Sequence, residues 1–142
     1  MSVQLSEEMR RRMMNWARWV RSGRRTLYDG RSVITKLYVM AGDGPRGEHT
    51  ESLLAGEAED TDHAVRALPA DNERALRIWW LGRGSMRQRA RQCRCREAAF
   101  YQRVNHAHAL VAAWLTERAR RREQHYQATR ALRAGHLPSS TR

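Results

Sequence analysis

Lysine is nearly missing from this chain, with Lys36 the single one among 27 lysine and arginine residues. Cysteine is scarce too: Cys93 and Cys95 are the only two. Two thiols on alternate residues are poorly placed for an ordinary structural bridge, which excludes a disulfide-stapled scaffold and leaves them as free thiols. No run approaches the roughly 20 apolar residues that a membrane-spanning helix needs, and no charged-then-apolar segment opens the chain. A membrane partner is therefore not expected, and a cytoplasmic location is. The chain also lacks a phosphate-cradling glycine loop with its lysine, a nucleophilic serine or cysteine motif, and a convincing set of metal ligands. The expectation is a protein that is not an enzyme and uses no cofactor.

What is abundant is arginine. Positive residues outnumber 15 acidic ones for a net charge of +12 over 142 residues. A planar guanidinium fork suits phosphate oxygens and base edges better than an ammonium does, so nucleic acid is the leading partner. The length suits one domain, and 41% apolar residues suffice for a small core. The charge is segregated. Residues 48–62 hold six acids, Glu48, Glu51, Glu57, Glu59, Asp60 and Asp62, and no lysine or arginine, so the other 127 residues carry +18. This stretch reads as a solvated acidic connector between an N-terminal segment, 1–47, and the rest. Its carboxylates have no apolar pocket in the local pattern that would shift a pKa, so no catalytic pair is assigned.

Helical spacing dominates elsewhere, and the fold class expected is all-α. Met9, Met13, Trp16, Trp19 and Val20 form a stripe between Ser6, a plausible N-cap before Glu7 and Glu8, and Gly23, a stop. The stripe reads as core, with a partner surface as the alternative. Val33, Ile34, Leu37 and Tyr38 allow a second short helix over 31–40, before a loop with Gly42, Gly44, Pro45 and Gly47. From residue 63 the layout is four helices. One carries Ala64, Val65 and Leu68. Another starts at Pro69, contains Ala75, Leu76, Ile78, Trp79 and Leu81, and closes at Gly82 and Gly84. Ser85 caps a third, Met86 to Gln92. After a short turn a longer helix runs from Glu97 with Phe100, Val104, Ala107, Val111 and Trp114 inward. The spacing is that of a helix-turn-helix within residues 63–115, followed by a basic C-terminal helix and tail, 116–142.

With that face inward, Glu97, Ala98, Tyr101, Gln102 and Asn105 point outward, flanked by Arg96 and Arg103. Gln102 and Asn105 carry the paired donor and acceptor that match adenine, Arg96 can take guanine or phosphate, and Glu97 can accept from cytosine. Ala98 and Tyr101 can meet thymine methyls. Arg87, Arg89 and Arg91 on the preceding helix are expected to face phosphates. Arg118, Arg120, Arg121 and Arg122 follow, then Arg130 and Arg133, a run that suits either a solvated helix or a contact with DNA, RNA or an acidic protein surface. A zinc site from Cys93, Cys95, His106 and His108 is the competing reading of the turn. One residue between the cysteines is too short for a knuckle, and the two histidines lie about 200° apart on a helix.

Ala64-Val65-Arg66-Ala67-Leu68-Pro69, Gly84-Ser85 and Ala90 resemble region 4 of bacterial sigma factors and the sigma-like helix-turn-helix of phage regulators, in register over about fifty residues. Trp16-Ala17-Arg18-Trp19-Val20-Arg21-Ser22-Gly23, with Tyr28 and the glycine-rich loop, resembles the opening of phage late-gene antitermination proteins of the Q type. Arg94 differs from the glycine common in the turn, Arg89 from the usual aliphatic residue, and Cys93 and Cys95 stand at apolar turn positions. The resemblance implies a factor that binds a double-stranded DNA element at a late promoter, loads onto bacterial RNA polymerase with its sigma factor, and lets it pass terminators. It makes Trp16, Trp19, Arg118, Arg120, Arg121 and Arg122 candidates for contact with polymerase or nascent RNA. A sigma-like activator acting at initiation and a nonspecific nucleic-acid-coating protein are the alternatives.

Overall fold

A computed structural model describes residues 2–23 and 47–135, with side chains from residue 53 onward in the second segment. The helix expected over 31–40, most of the glycine-rich loop and the end of the tail lie outside the described residues. Among those described there are five helices and no strand: α1 Glu7–Arg21, α2 Gly47–Arg66, α3 Ala70–Leu81, α4 Met86–Gln92 and α5 Glu97–Gly135. The all-α class expected from the sequence is the class observed.

Local chemistry sets the starts of α1, α3 and α4. The Ser6 hydroxyl accepts from the Met9 N–H at 3.2 Å, Glu7 and Glu8 occupy the positive end of α1, and Arg18 and Arg21 its negative end. Gly23, at φ 80°, then takes the left-handed conformation that ends a helix. Pro69 occupies the N-cap of α3 rather than its first turn, its fixed φ of −54° pre-set for the entry and its carbonyl accepting from the Glu73 N–H at 2.9 Å. At α4 a capping box closes both ways: Gln88 N–H donates to Ser85 Oγ at 3.2 Å, and Ser85 N–H donates to Gln88 Oε1 at 2.9 Å.

The stretch 48–62 is a correction. It was expected as a solvated connector and instead forms most of α2. Ala58, Thr61, Asp62 and Val65 fall on one face and are buried. The acids do not force the segment into solvent because the two that lie toward the other helices, Asp60 and Asp62, have partners. Asp62 accepts from the Trp16 indole at 3.1 Å and pairs with Arg66 at 2.9 Å, while Asp60 meets two arginines of α5. Thr61 donates to the Glu57 carbonyl at 2.9 Å and accepts from Arg12 Nε at 3.2 Å. With Asp60 and Asp62 bonded to neighbouring helices, this side of the charge block becomes a docking face.

Two adjoining clusters form the core. The larger joins Met13, Trp16 and Ala17 of α1, Ala64 and Val65 of α2 with Leu68 after it, Leu76 of α3, and Ala107 and Val111 of α5. The smaller joins Ala75, Ala90, Cys93, Phe100 and Val104, with Val3, Trp79 and Met86 against them. Phe100, Val104, Ala107, His108 and Val111 repeat at helical spacing, so the first half of α5 runs through both clusters. Its 39 residues span about 58 Å at 1.5 Å per residue, longer than the core beneath it. Residues 119–128 are exposed throughout, an extension beyond the last core layer.

Candidate nucleic-acid interface

α4, the turn 93–96 and the start of α5 are joined through the smaller cluster, in which Ala90 and Cys93 meet Phe100 and Val104. The turn is a Schellman closure. Arg94 takes φ 53°, its N–H donates to the Arg91 carbonyl at 2.9 Å, and the Cys95 N–H reaches the Ala90 carbonyl at 3.1 Å. Arginine therefore occupies the left-handed position at which glycine is the common residue. Cys93 is buried, and Cys95 packs half-buried with its Sγ 3.8 Å from the Ala90 carbonyl. Burial pushes the Cys93 thiol up, and Cys95 beside it adds to this. Both act as small hydrophobes in the inter-helix corner. His106 is exposed and 3.5 Å from the Asn72 amide, while His108 lies in the core. Among the described residues no three His, Cys, Asp or Glu side chains gather as a metal site.

The arginines of α4 divide into two kinds. Arg87 and Arg91 are exposed. Arg89, expected to face phosphate, instead turns inward: its Nη1 donates to the Trp79 carbonyl and its Nη2 to the Gly82 carbonyl, both at 3.1 Å. It thereby caps the end of α3 from the position where an aliphatic residue is usual, its stem half-buried and its head on carbonyls that the helix leaves unpaired.

On α5 the expected outward set also divides. Arg96 is exposed just before the helix, and Ala98 and Gln102 are exposed one turn apart on the face opposite Phe100 and Val104. Glu97 is half-buried. Tyr101 is half-buried with its ring edge-on to Trp79, centroids 5.9 Å apart. Arg103 braces the turn, Nη1 donating to the Cys93 carbonyl at 3.2 Å. Asn105, expected as a base reader, is engaged within the chain. Its Oδ1 accepts from the Gln4 N–H at 3.2 Å and its Nδ2 donates to the Ser2 carbonyl at 3.1 Å, so both ends of the carboxamide hold residues 2–4 against α5.

The partner-contact candidates fare similarly. Trp16 is 0% exposed, its N–H is bonded to Asp62 and the Arg77 guanidinium lies over its ring at 5.7 Å, so it belongs to the core and offers no surface. Trp19 is half-buried against the same cluster. Arg118 and Arg122 converge on Asp60. Arg122 donates to both carboxylate oxygens at 3.2 and 3.1 Å, and Arg118 lies 3.3 Å from one of them. The Arg118 guanidinium also covers the Trp114 ring at 5.2 Å. Arg120 and Arg121 both reach Glu117, whose carboxyl the Arg120 hydrogen bond holds below the usual range.

Sequence reasoning missed three features that shape this surface: the inward Arg89, residues 2–4 held over Asn105, and Asp60 beneath the basic helix. The first had a signal, a basic residue at a position the helical period assigns to the interior. The other two join residues 103 and 62 positions apart and carry no local signature.

No family model, curated protein or solved structure matches the chain. None of the helices is long and apolar enough to cross a membrane among the described residues.

Proposed function

We propose that the chain is a DNA-binding transcription antitermination factor, acting in the cytoplasm of a bacterial host, that loads onto RNA polymerase at a phage late promoter and permits read-through of terminators. The observation that carries the DNA-binding part is the arrangement of α4, the turn and α5. Ala98 and Gln102 are exposed on the outer face of α5, with Arg87, Arg91 and Arg96 exposed around them. In such an arrangement the second helix offers its side chains to base edges, and the surrounding guanidinium groups position it on phosphates. Gln102 is the base-reading candidate with both a donor and an acceptor to offer. The step from DNA binding to antitermination rests on the resemblance of the α1 and α2–α4 segments to phage regulators.

The function involves no bond-making step, and no cofactor is assigned. The test is transcription in vitro by bacterial polymerase holoenzyme from a late promoter carrying the recognised element, with a terminator downstream. Read-through that rises with added protein and disappears when the element is scrambled supports the proposal. Increased initiation with unchanged termination would instead identify a sigma-like late activator, which uses the same DNA-reading elements.

A further inference from the structure

The extension of α5 carries a surface that the DNA-reading proposal does not use. From residue 116 to 135 it holds six arginines and two glutamates, a net +4. Arg118, Arg122, Tyr126 and Arg130 follow one another at four-residue steps, so they line one face with about 6 Å of rise between neighbours. Arg121 and Arg133 lie beside the same row, so the face is lined with arginine along its length. Tyr126 is 61% exposed in the middle of that row, an aromatic ring set among guanidinium groups and outside both core clusters of the described residues.

We propose that this face is a binding site for single-stranded nucleic acid, and that Asp60 occupies the place of a backbone phosphate at its inner end. Two guanidinium groups converging on one carboxylate, one of them engaging both oxygens, form the donor arrangement that a phosphodiester accepts. The Asp60 side chain is only 22% exposed and is supplied by a different helix, so the carboxylate is held in place by the packing of α2. A row of arginines interrupted by an exposed aromatic ring suits a strand whose bases are free to stack. A duplex keeps its bases stacked on each other and has no use for the ring. Gln102 lies about 30 Å along the helix axis from Arg122, so the site is separate from the base-reading face.

The consequence is a gated site. While Asp60 is in place it occupies both inner guanidinium groups and offsets one of their two charges, and an incoming strand must draw the arginines off the carboxylate to engage them. Asp60 thus lowers the affinity of the protein for stray single strands.

The test uses the full chain and fluorescence anisotropy with a labelled oligo(dT) strand and a scrambled duplex of equal length. Asp60→Asn should tighten oligo(dT) severalfold, and the gain should vanish when Arg118→Gln and Arg122→Gln are added. Tyr126→Ala should weaken oligo(dT) by at least about fivefold while changing the duplex by less than about twofold. Equal losses on both DNAs would reduce the face to general electrostatics and overturn the proposal. So would displacement of oligo(dT) by poly-glutamate as readily as by unlabelled strand, which would point to an acidic protein as occupant. An Asp60→Asn protein that is folded by circular dichroism yet shows no gain would remove the gate. If that variant loses its helical signal, the exposed Tyr126→Ala substitution decides the question alone. None of these outcomes depends on a cognate promoter, so they leave the DNA-reading proposal to its own assay.

Discussion

His108 makes the stability of this protein depend on pH in a way the structure specifies. The ring is 3% exposed, and its Nε2 accepts a hydrogen bond from the Trp80 indole at 2.9 Å. The ring proton must therefore sit on Nδ1, which is buried with no partner among the described residues. Protonating Nε2 would set a donor against a donor and place a charge in the core, and burial accordingly lowers the pKa from 6.5 to about 4. The unfolded chain binds a proton as pH falls through 6.5, whereas the folded chain resists until about 4. Stability is thus fully present above 6.5 and is lost as pH falls between these values. At 1.36 kcal/mol per pH unit of difference, the loss is about 2 kcal/mol by pH 5 and about 3 kcal/mol once both states are protonated. For a domain of this size about 2 kcal/mol lowers Tm by roughly 4–8 °C. Urea unfolding followed by tryptophan fluorescence at pH 8, 7, 6 and 5 measures it, with His108→Gln as the reference. Other titrating groups affect both proteins alike, so the difference between them isolates His108. A wild-type-minus-variant difference that stays flat from pH 8 to pH 5 would refute the assignment of a buried neutral imidazole.

The remaining predictions concern the turn and the proposed DNA-reading face. Arg94→Gly should raise stability by about 1 kcal/mol, because glycine adopts the observed φ of 53° without the cost a side chain incurs; a lower urea midpoint would contradict the Schellman geometry. Gln102→Ala should weaken binding to the cognate element by about 1–3 kcal/mol with little change on random DNA. Asn105→Ala should act instead on stability, through the released residues 2–4, and a sequence-selective loss in that variant would restore Asn105 to the base-reading set. Treatment with a chelator should leave the helical signal and DNA binding unchanged, because Cys93 and Cys95 pack as thiols; loss of structure together with stoichiometric zinc would show otherwise.

The helices other than most of α2 were legible residue by residue. Ser6 and Ser85 announce starts, Gly23 and Gly82 announce ends, and the spacing of Phe100, Val104, Ala107 and Val111 identifies the buried face of α5. These signals act within one or two turns of chain, which is why a linear pattern contains them. The acidic stretch 48–62 was misjudged because composition reports charge and not the partners that neutralise it. Only packing brings Trp16 to Asp62, and Arg118 and Arg122 to Asp60.

The same division runs through the candidate site. Which side chains could offer hydrogen bonds to a base or a phosphate is a matter of residue type, and the sequence by itself determined that set, along with the helices on which its members stand. Which of them remain available was decided by the tertiary structure. Arg89 is drawn onto the open carbonyls of α3, Asn105 onto residues 2–4, and Trp16 into the core, whereas Arg87, Arg91, Arg96 and Gln102 stay exposed. The physical reason is that a polar side chain takes whichever partner the fold brings within about 3 Å, and that partner is set by how distant segments meet.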